Sequence, residues 1–297
     1  MNLFIITINY NSSENTIGLL KSLENQTDKS FEIIVVDNNS DDVGKLMEHK
    51  TTETNIIYIK NDKNLGYSGG NNVGINRALN PPAGGGADPA YNGASWVLLL
   101  NNDTWVENNF ISRLRTILKG KEGILGIALN EGDKTAYSGK LEWFKPTLKH
   151  NGNPSTGDSP NVYVIGGAML IHKKVFEKIG LLDENYFLYF EDADFSIRAK
   201  KADIPISFIG NVSVHHSVSS STKKLGSPMI LRYHYRNALY FNLKNGPWYI
   251  KLLVWLWGWF IAVKQVMKIF TGKNREQSIA ILKGIGDWYI CKMGKIT

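Results

Sequence analysis

The stretch Val97-Leu98-Leu99-Leu100-Asn101-Asn102-Asp103 decides the fold. Its four apolar residues are typical of a buried strand, and the polar residues after them place a carboxylate where that strand ends. In an open α/β sheet, ligands bind outside the carboxyl ends of the strands. We therefore expect Asp103 to lie where a diphosphate and its metal ion would bind. The stretch predicts chemistry on a phosphorylated donor.

On both sides of this strand the chain alternates between strands and helices, which predicts an α/β sheet covered by helices. Further strands are predicted at 3–8, 31–36, 55–59, 123–129, 204–209 and 212–214. Helices are predicted at 13–25, 71–79, 107–118, 173–179 and 191–201, and the chain from residue 228 onward is predicted to be mainly helical. The glycine-rich section 83–93 is predicted to be a loop, and 134–164 to hold short irregular pieces.

Composition indicates a globular protein of a reducing compartment. The 297 residues include a single cysteine, Cys291, which cannot form an internal disulfide. The N-terminus lacks the basic region and the small-residue cleavage site of a secretory signal. These features predict a cytoplasmic protein.

Charge is concentrated in the last quarter of the chain. Residues 223–297 hold 13 Lys and Arg against only Glu276 and Asp287, a net charge of +11, so residues 1–222 carry −4 of the total +7. Tryptophans interleave with these lysines around the apolar stretch 252–263, which is shorter than the roughly 20 residues that span a bilayer. A helix lying on an anionic membrane surface is therefore favoured over a nucleic-acid site. A Trp-rich helix packed on its own domain or in a dimer is the alternative.

Polar side chains also follow the first two predicted strands. Asn9, Tyr10 and Asn11 come after the first, and Asp37 follows the second. An aspartate can accept the N3 proton of a pyrimidine, and a tyrosine can cover the face of the ring. Such loops also serve as plain turns and helix caps, so a nucleotide role and a structural role both remain open.

The segment 64–74 is a second candidate for phosphate or ribose binding. It contains Asn64, Gly66 and Asn71, and its glycines would let backbone N–H groups approach a diphosphate at a helix N-terminus. A tight turn into a helix is the alternative. The segment is neither a dinucleotide fingerprint, which would directly follow the first strand, nor a P-loop, which needs Gly-Lys-Ser/Thr.

A group of carboxylates and two histidines lie further along the chain. Glu191, Asp192 and Asp194 follow an aromatic run at the start of a predicted helix. Capping explains one or two of these acids. If the aromatic run walls a pocket, one carboxylate can be partly desolvated and act as a general base, while another is oriented by Arg198. His215-His216 follows a predicted extended run, and adjacent strand residues point to opposite faces, so at most one is expected to share the Asp103 site.

The order of these motifs resembles the family 2 glycosyltransferases of the GT-A fold. The resemblance covers residues 3 to about 240 and includes the strand ends, the segment 64–74, the run 166–170, Glu-Asp-x-Asp at 191–194 and a late histidine. The forms of the last motifs, with Tyr235-Arg236-Asn237, are most similar to bacterial rhamnosyltransferases that build surface polysaccharides. The implied fold is a nucleotide-binding sheet with helices on both faces, followed by a helical extension.

The resemblance implies a role for each matching residue. Asp37 would bind the pyrimidine, with Asn9, Tyr10, Asn11, Asn64, Gly66, Asn71 and Asn102 also on the donor side. Asp103 and His215 would hold a divalent cation, Mg²⁺ or Mn²⁺, with His216 as the alternative. Asp192 would deprotonate the acceptor in an inverting reaction, and Glu191 would help to hold acceptor or loop. Asn101 stands where the fuller pattern has an aspartate, and this makes tight metal binding before the donor arrives doubtful.

The resemblance also implies substrates and domains. Residues 1–225 would form the catalytic domain, with a donor half at about 1–105 and an acceptor half at about 106–225. Residues 226–297 would be a membrane-associating extension on the inner face of the cell membrane. The implied donor is dTDP-rhamnose and the implied acceptor a glycan, in particular a lipid-linked one. A UDP-hexose donor and a catalytically silent membrane scaffold are alternatives. A sugar-nucleotide pyrophosphorylase is disfavoured because no glycine- and arginine-rich loop follows the first strand.

Overall fold

The computed structural model describes residues 2–49, 54–80, 93–153, 157–216 and 227–296. The strands within these ranges are β1 (Leu3–Asn9), β2 (Phe31–Asp37), β3 (Asn55–Lys60), β4 (Trp96–Leu100), β5 (Thr104–Trp105), β6 (Ile124–Glu131), β7 (Lys134–Ala136), β8 (Ser138–Lys140), β9 (Lys149–Asn151), β10 (Val162–Tyr163), β11 (Ala168–His172) and β12 (Ile206–His216). The helices are α1 (Ser13–Glu24), α2 (Val43–Glu48), α3 (Gly66–Leu79), α4 (Phe110–Leu118), α5 (Lys173–Ile179), α6 (Glu191–Lys201), α7 (Pro228–Asn245), α8 (Trp248–Phe270) and α9 (Arg275–Tyr289).

The main sheet runs in the order β3-β2-β1-β4-β11-β6-β12-β5, with β7 paired to β6. Strands β1 to β4 are mutually parallel, whereas β11 is antiparallel to both of its neighbours. Strands β2 and β3 extend the sheet on one side of β1, and β4 lies on the other side. Because the direction of growth reverses there, a crevice opens at the carboxyl ends of β1 and β4.

Alternating side chains cover both faces of this sheet. Ile5 and Leu98 point to one face and pack in the same core as Leu20 of α1. Phe4 and Leu99 point to the other face and pack in the same core as residues of α3 and α6. Both faces of the central strands are therefore buried, which accounts for their almost continuous apolar sequences.

Two predicted elements are longer in the structure. Helix α3 begins at Gly66 rather than at residue 71, because its glycine-rich first turn is buried against the sheet and burial outweighs the low helix propensity of glycine. The two predicted extended pieces 204–209 and 212–214 form the single strand β12, whose pairing with β6 shifts register between Ile209 and Ser213. That shift adds residues to one strand and hides the period-two pattern.

Other segments differ from the expectation in kind. Residues 168–172, which were not predicted to be extended, form the central strand β11. The section 134–164 contains β7 and a separate sheet in the order β10-β8-β9. Most of the predicted loop 83–93, including its three glycines, lies outside the described residues.

The helical region after β12 is as predicted. Helices α7, α8 and α9 share an apolar core that includes Leu239, Val254, Ile281 and Trp288. Helix α8 has 23 residues and is the one helix in the described chain that is long and apolar enough to cross a membrane, judged by length and composition alone. The uninterrupted apolar stretch 252–263, on which the sequence-based expectation rested, covers only part of this helix, so the expected length was too short.

Candidate active site

The carboxyl ends of β1 and β2 carry a buried polar network. Asn9 donates from Nδ2 to Asp37 Oδ1 at 2.8 Å and to the Ser40 hydroxyl at 3.0 Å. Its Oδ1 accepts from the Thr16 hydroxyl at 2.9 Å, and Asn102 Nδ2 donates to the same hydroxyl at 2.9 Å. The network ties the end of β4 to the ends of β1 and β2, and it brings together three of the predicted donor-binding residues.

The residues expected to hold a pyrimidine differ in exposure. Asp37 is only 1% exposed, and each of its carboxylate oxygens accepts a hydrogen bond, one of them from the Ser40 N–H at 3.0 Å. Tyr10 is 49% exposed. Asn11 is exposed as well, with a left-handed φ of 48° and its N–H donated to the Ser40 hydroxyl. Tyr10 and Asn11 are thus accessible to a ligand, whereas Asp37 is buried.

Gly66 is explained by its contact with another loop. Its φ is +73°, and a Cβ at this position would lie 2.3 Å from the carbonyl oxygen of Phe187. Asn64 Oδ1 accepts the Gly66 N–H at 2.8 Å, and Asn71 Nδ2 donates to the Tyr67 carbonyl at 3.0 Å. From the sequence, this glycine was expected to allow the approach of a diphosphate, with a tight turn into a helix as the alternative. In the structure its close approach is to Phe187, and the two asparagines stabilise the start of α3.

Asp103 lies directly after β4 and meets the end of β12. Strand β5 pairs with β12 so that His216 is opposite Thr104. His216 Nε2 lies 3.1 Å from Asp103 Oδ1, and His216 Nδ1 lies 3.4 Å from Glu131 Oε1. The pairing therefore brings together two predicted site regions that are far apart in sequence.

The histidine beside Asp103 is His216 and not His215. The His215 ring stacks on Trp105 with centroids 3.8 Å apart, and its Nε2 lies 3.9 Å from the Glu107 carboxylate. Adjacent residues of a strand point to opposite faces, so only one of the two histidines faces Asp103. The expectation that His215 is the metal ligand does not fit this geometry.

The carboxylates around His216 set its charge. Burial alone lowers the pKa of His216, but hydrogen bonds and charge interactions with Asp103 and Glu131 outweigh burial and raise this pKa to about 9. Hydrogen bonds from His150 and then from His216 lower the pKa of Glu131 to about 2. The raised pKa favours the protonated, positively charged form of the imidazole beside Asp103.

Asp192 lies at the start of α6, and its carboxylate accepts hydrogen bonds from two backbone N–H groups. Its Oδ2 accepts from Gly166 at 2.9 Å and its Oδ1 from Ala193 at 2.7 Å. The surrounding protein removes water and raises the pKa of Asp192, although both of these hydrogen bonds act in the opposite direction. Asp192 as a whole residue is half-buried. A raised pKa makes this carboxylate a stronger base than an aspartate in water.

The Gly166-Gly167 turn connects Asp192 to the end of β4. The Asn101 N–H donates to the Gly167 carbonyl at 3.1 Å. A Cβ on Gly166 would lie only 3.3 Å from the Cβ of Asp192. The Tyr67 hydroxyl donates to the Gly166 carbonyl at 2.5 Å, which adds α3 to the same group. The Asp192 carboxylate and the polar end of β4 therefore both contact the Gly166-Gly167 turn.

The carboxylates on either side of Asp192 have different surroundings. Glu191 is buried, and among the described residues its Oε2 has no hydrogen-bond partner. Burial, followed by the charge of Asp192, raises the pKa of Glu191 well above its usual range. Asp194 is fully buried and accepts from Arg198 Nε at 2.7 Å and from Asn245 Nδ2 at 2.7 Å. The carboxylate that Arg198 orients is Asp194, which has a structural role.

Sequence reasoning missed the contacts of Tyr67, Gly166 and Glu131. Tyr67 and Gly166 lie inside motifs that the sequence analysis quoted, but no pattern in the sequence indicates that one donates to the other. Glu131 lies at the end of a strand like the other site residues, and that position was the available signal.

A divalent cation fits this site if the donor supplies most of its ligands. Within the described ranges, no group of three or more His, Cys, Asp or Glu side chains is arranged to hold a metal ion by itself. Asp103 supplies a carboxylate, and Asn101 and Asn102 supply neutral amides. Mg²⁺ is commonly bound in proteins by one or two carboxylates together with substrate phosphates and water, so one aspartate is sufficient.

Comparison with known proteins identifies the family. Residues 4–180 match the family model of glycosyl transferase family 2. The chain belongs to this family. Its sheet, covered by helices on both faces, and the helical region that follows are those of a GT-A glycosyltransferase, and the resemblance noted in the sequence is confirmed.

Two curated members of the family are similar over most of their length. A low-salt glycan biosynthesis hexosyltransferase of Haloferax volcanii is 28% identical over 279 residues, which cover 87% of this chain and 83% of the relative. The N-acetylglucosaminyl-diphospho-decaprenol L-rhamnosyltransferase of Mycobacterium tuberculosis is 21% identical over 308 residues, which cover 94% and 97%. This family 2 chain therefore has both hexosyltransferase and rhamnosyltransferase relatives.

A solved structure shares the fold. The mannosyltransferase of Pyrobaculum calidifontis, determined in complex with GDP-Man and Mn²⁺, superposes with a TM-score of 0.56 at 12% identity over 98% of this chain and 87% of that protein. At this identity the similarity establishes the architecture of the family 2 chain alone.

Proposed function

We propose that this glycosyltransferase moves rhamnose from dTDP-rhamnose onto a glycan acceptor, in particular a lipid-linked one, in an inverting reaction assisted by a divalent cation. The observation that carries the proposal is the position of Asp192. Two backbone N–H groups fix its carboxylate at the Gly166 turn, which also contacts the end of β4. A base and a donor site are therefore held by the same turn.

Asp192 acts as the general base in the proposed reaction. It accepts the proton of an acceptor hydroxyl while that oxygen bonds to the anomeric carbon of the donor sugar. The bond between this carbon and the diphosphate breaks on the opposite face, and the electron pair leaves with the diphosphate. One base and one group that stabilises the leaving charge are sufficient, and no covalent enzyme intermediate is needed. The raised pKa of Asp192 suits this role.

Asp103 is the proposed metal ligand, with Mg²⁺ or Mn²⁺ as the cation. When bound, the cation neutralises negative charge on the departing diphosphate. His216, 3.1 Å from Asp103, replaces His215 as the proposed histidine of this site. It orients Asp103 and lies where a leaving diphosphate needs positive charge. Asn9, Asn102 and the start of α3 support the donor-binding end of the sheet.

Rhamnose is proposed as the sugar because a rhamnosyltransferase relative matches nearly the whole chain. That relative is named for a lipid-linked diphosphate acceptor, N-acetylglucosaminyl-diphospho-decaprenol, which supports an acceptor of the same class here. The hexosyltransferase relative has the higher identity, so a hexose donor, such as a UDP-hexose, is the second candidate.

Residues 226–297 are proposed to hold the enzyme on the cytoplasmic face of an anionic membrane, with residues 1–225 as the catalytic domain. Large apolar side chains of α8 are exposed on the outside of the helical region, and lysines flank them. The most exposed are Trp248, Leu252, Leu256, Trp259, Phe260, Met267 and Phe270. Apolar side chains that insert at the headgroup level, together with the net charge of +11 over residues 223–297, suit a helical region that lies on a membrane surface.

The base assignment is tested with Asp192→Asn. This change preserves the shape of the side chain and removes its basicity, so transfer is expected to fall on the order of 100-fold or more while nucleotide affinity stays within about 2-fold. The measurements are transfer with dTDP-rhamnose and with UDP-hexoses, and nucleotide binding by calorimetry. Asp203→Asn, an exposed carboxylate just beyond α6, is the matched control and is expected to stay active. Full transfer by Asp192→Asn would contradict the proposal.

A further inference from the structure

The loop that precedes Asp192 has an unusual backbone. Phe187, Tyr189 and Phe190 have φ angles of 62°, 70° and 77°, in the left-handed region that bulky residues rarely adopt. Such a conformation is strained and persists only where the surroundings impose it. The loop 186–190 therefore needs an external support.

Asn237 of α7 supplies hydrogen bonds to this loop. Its Nδ2 lies 2.9 Å from the Tyr186 carbonyl oxygen, 2.8 Å from that of Leu188 and 3.0 Å from that of Tyr189. The amide has two hydrogens, so the three carbonyls share them. Asn237 is fully buried, and every one of these acceptors belongs to the loop.

Arg236 fixes the orientation of that amide. Its Nε donates to Asn237 Oδ1 at 3.0 Å, and its Nη2 donates to the Tyr186 carbonyl at 3.3 Å. Arg236 is fully buried as well. Among the described residues its hydrogen bonds go to the Asn237 side-chain oxygen and to the carbonyl oxygens of Tyr186 and Lys292. The N–H groups of a guanidinium point in fixed directions. A buried guanidinium that donates to these oxygens therefore favours one geometry of the loop backbone.

Aromatic rings of α7 pack on the same loop. Tyr233 stacks on Phe187 with centroids 5.5 Å apart, and His234 stacks on Tyr189 with centroids 4.3 Å apart. Four residues of α7, Tyr233, His234, Arg236 and Asn237, thus contact or hydrogen-bond to a loop that ends next to Glu191 and Asp192.

The supported loop also contacts the catalytic side of the site. The Phe187 carbonyl accepts the Tyr67 N–H at 2.7 Å, and the Tyr67 hydroxyl donates to Gly166, whose N–H donates to Asp192. The loop 186–190 is therefore attached to Asp192 in two ways, directly along the chain and through Tyr67 and Gly166.

We propose that Asn237, oriented by Arg236, is a positioning residue for catalysis. It holds the loop 186–190 in its left-handed conformation and so keeps the Asp192 carboxylate against the Gly166 N–H. This inference rests on the proposed role of Asp192 as base. It assigns a function in the reaction to α7, which lies beyond the matched family region 4–180.

The test compares Asn237→Ala with Asn242→Ala. Both asparagines are buried on α7, but Asn242 Nδ2 donates to the Ala238 carbonyl within the helix and not to the loop. Asn237→Ala is expected to lower kcat on the order of 10- to 100-fold, because small displacements of reacting groups have effects of this size. The KM for the donor is expected to change less than about 3-fold. Asn242→Ala is expected to lower Tm by less, because Asn242 makes fewer hydrogen bonds, and to leave kcat within about 2-fold.

The pH profile separates positioning from general loss of structure. The Gly166 N–H stabilises the ionised form of Asp192, so loss of this hydrogen bond raises the pKa of the base. The acidic limb of the kcat profile is therefore expected to move to higher pH in Asn237→Ala and to stay in place in Asn242→Ala. Asn237→Ser, which keeps one donor, is expected to fall between wild type and Asn237→Ala.

Two outcomes would overturn the inference. One is a folded Asn237→Ala protein with kcat and pH profile like those of Asn242→Ala. The other is failure of both Asn237 variants to fold while Asn242→Ala folds, which would assign Asn237 a purely structural role. Asp192→Asn distinguishes these outcomes from failure of the proposed function. If that variant remains active, the base assignment itself is wrong.

Discussion

At the scale of single residues, His215 and His216 form a natural pair for comparison. They are adjacent on β12 but face opposite sides, and only His216 contacts Asp103. His216→Ala is expected to lower transfer on the order of 10- to 100-fold and to change its metal dependence, because it removes both the group that orients Asp103 and a positive charge beside the proposed ligand. His215→Ala is expected to stay within about 3-fold of wild type.

The measurement is transfer rate as a function of Mg²⁺ or Mn²⁺ concentration for both variants. Equal effects of the two substitutions would mean that the pair contributes to the strand and not to the metal site. A larger effect at His215 would support His215 as the metal ligand, as the resemblance implied.

Several site residues could be predicted from the sequence because strand ends are easy to recognise. Asp103 and Asp37 follow apolar runs, and Asp192 belongs to a cluster of acids after an aromatic run. The choice between His215 and His216 could not be predicted, since it depends on a register shift between Ile209 and Ser213 that leaves no periodic signal. The structural role of Asp194 was hidden for a similar reason, because Asn245 lies on a distant helix.

At the scale of the elements, the start of α3 depends on Gly66. Gly66→Ala places a Cβ 2.3 Å from the Phe187 carbonyl oxygen at a positive φ, so both backbone strain and a steric clash follow. The free energy of unfolding is expected to fall by about 1–3 kcal/mol, measured by denaturant titration. Transfer is expected to fall as well, since Phe187 belongs to the loop that precedes Asp192.

Gly18→Ala in α1 is the control for this change. A Cβ at Gly18 meets nothing within 4 Å, so alanine is expected to leave stability unchanged or to raise it by up to about 1 kcal/mol through its helix propensity. A Gly66→Ala protein as stable and active as Gly18→Ala would show that the contact with Phe187 is not required.

The alternation of elements was predictable, whereas their contacts were not. The parallel strands β1 to β4 and most helices are close to the predicted positions, because apolar periodicity reports burial directly. Strand β11 was missed because it is short and central, and the start of α3 was missed because glycine opposes helix formation in isolation. Both elements are stabilised by tertiary packing, which a local pattern does not contain.

At the scale of the whole molecule, the charge and the exposed apolar face of α8 predict binding to anionic vesicles. The wild-type protein is expected to float with vesicles that contain phosphatidylserine at low salt, and less of it at high salt, because electrostatic attraction to the surface is screened. The double variant Trp259→Gln and Phe260→Gln is expected to float poorly at both salt concentrations. Met47→Gln, which removes an exposed apolar side chain on α2, is the matched control.

Protein that remains at the bottom of the gradient in both salts would contradict membrane binding. The exposed face of α8 would then be better explained by association of two copies, which a sedimentation measurement of the same samples detects.

The pairing of strand β5 affects the order in which parts of the chain fold during synthesis. Among the described residues its hydrogen-bonded strand partner is the end of β12. During synthesis on the ribosome, residues 104–105 leave the exit tunnel long before residues 215–216 exist. Strand β5 therefore stays without this strand partner until β12 has left the ribosome. The nascent chain can complete the parallel half of its sheet early, but it acquires the geometry around Asp103 only late in translation.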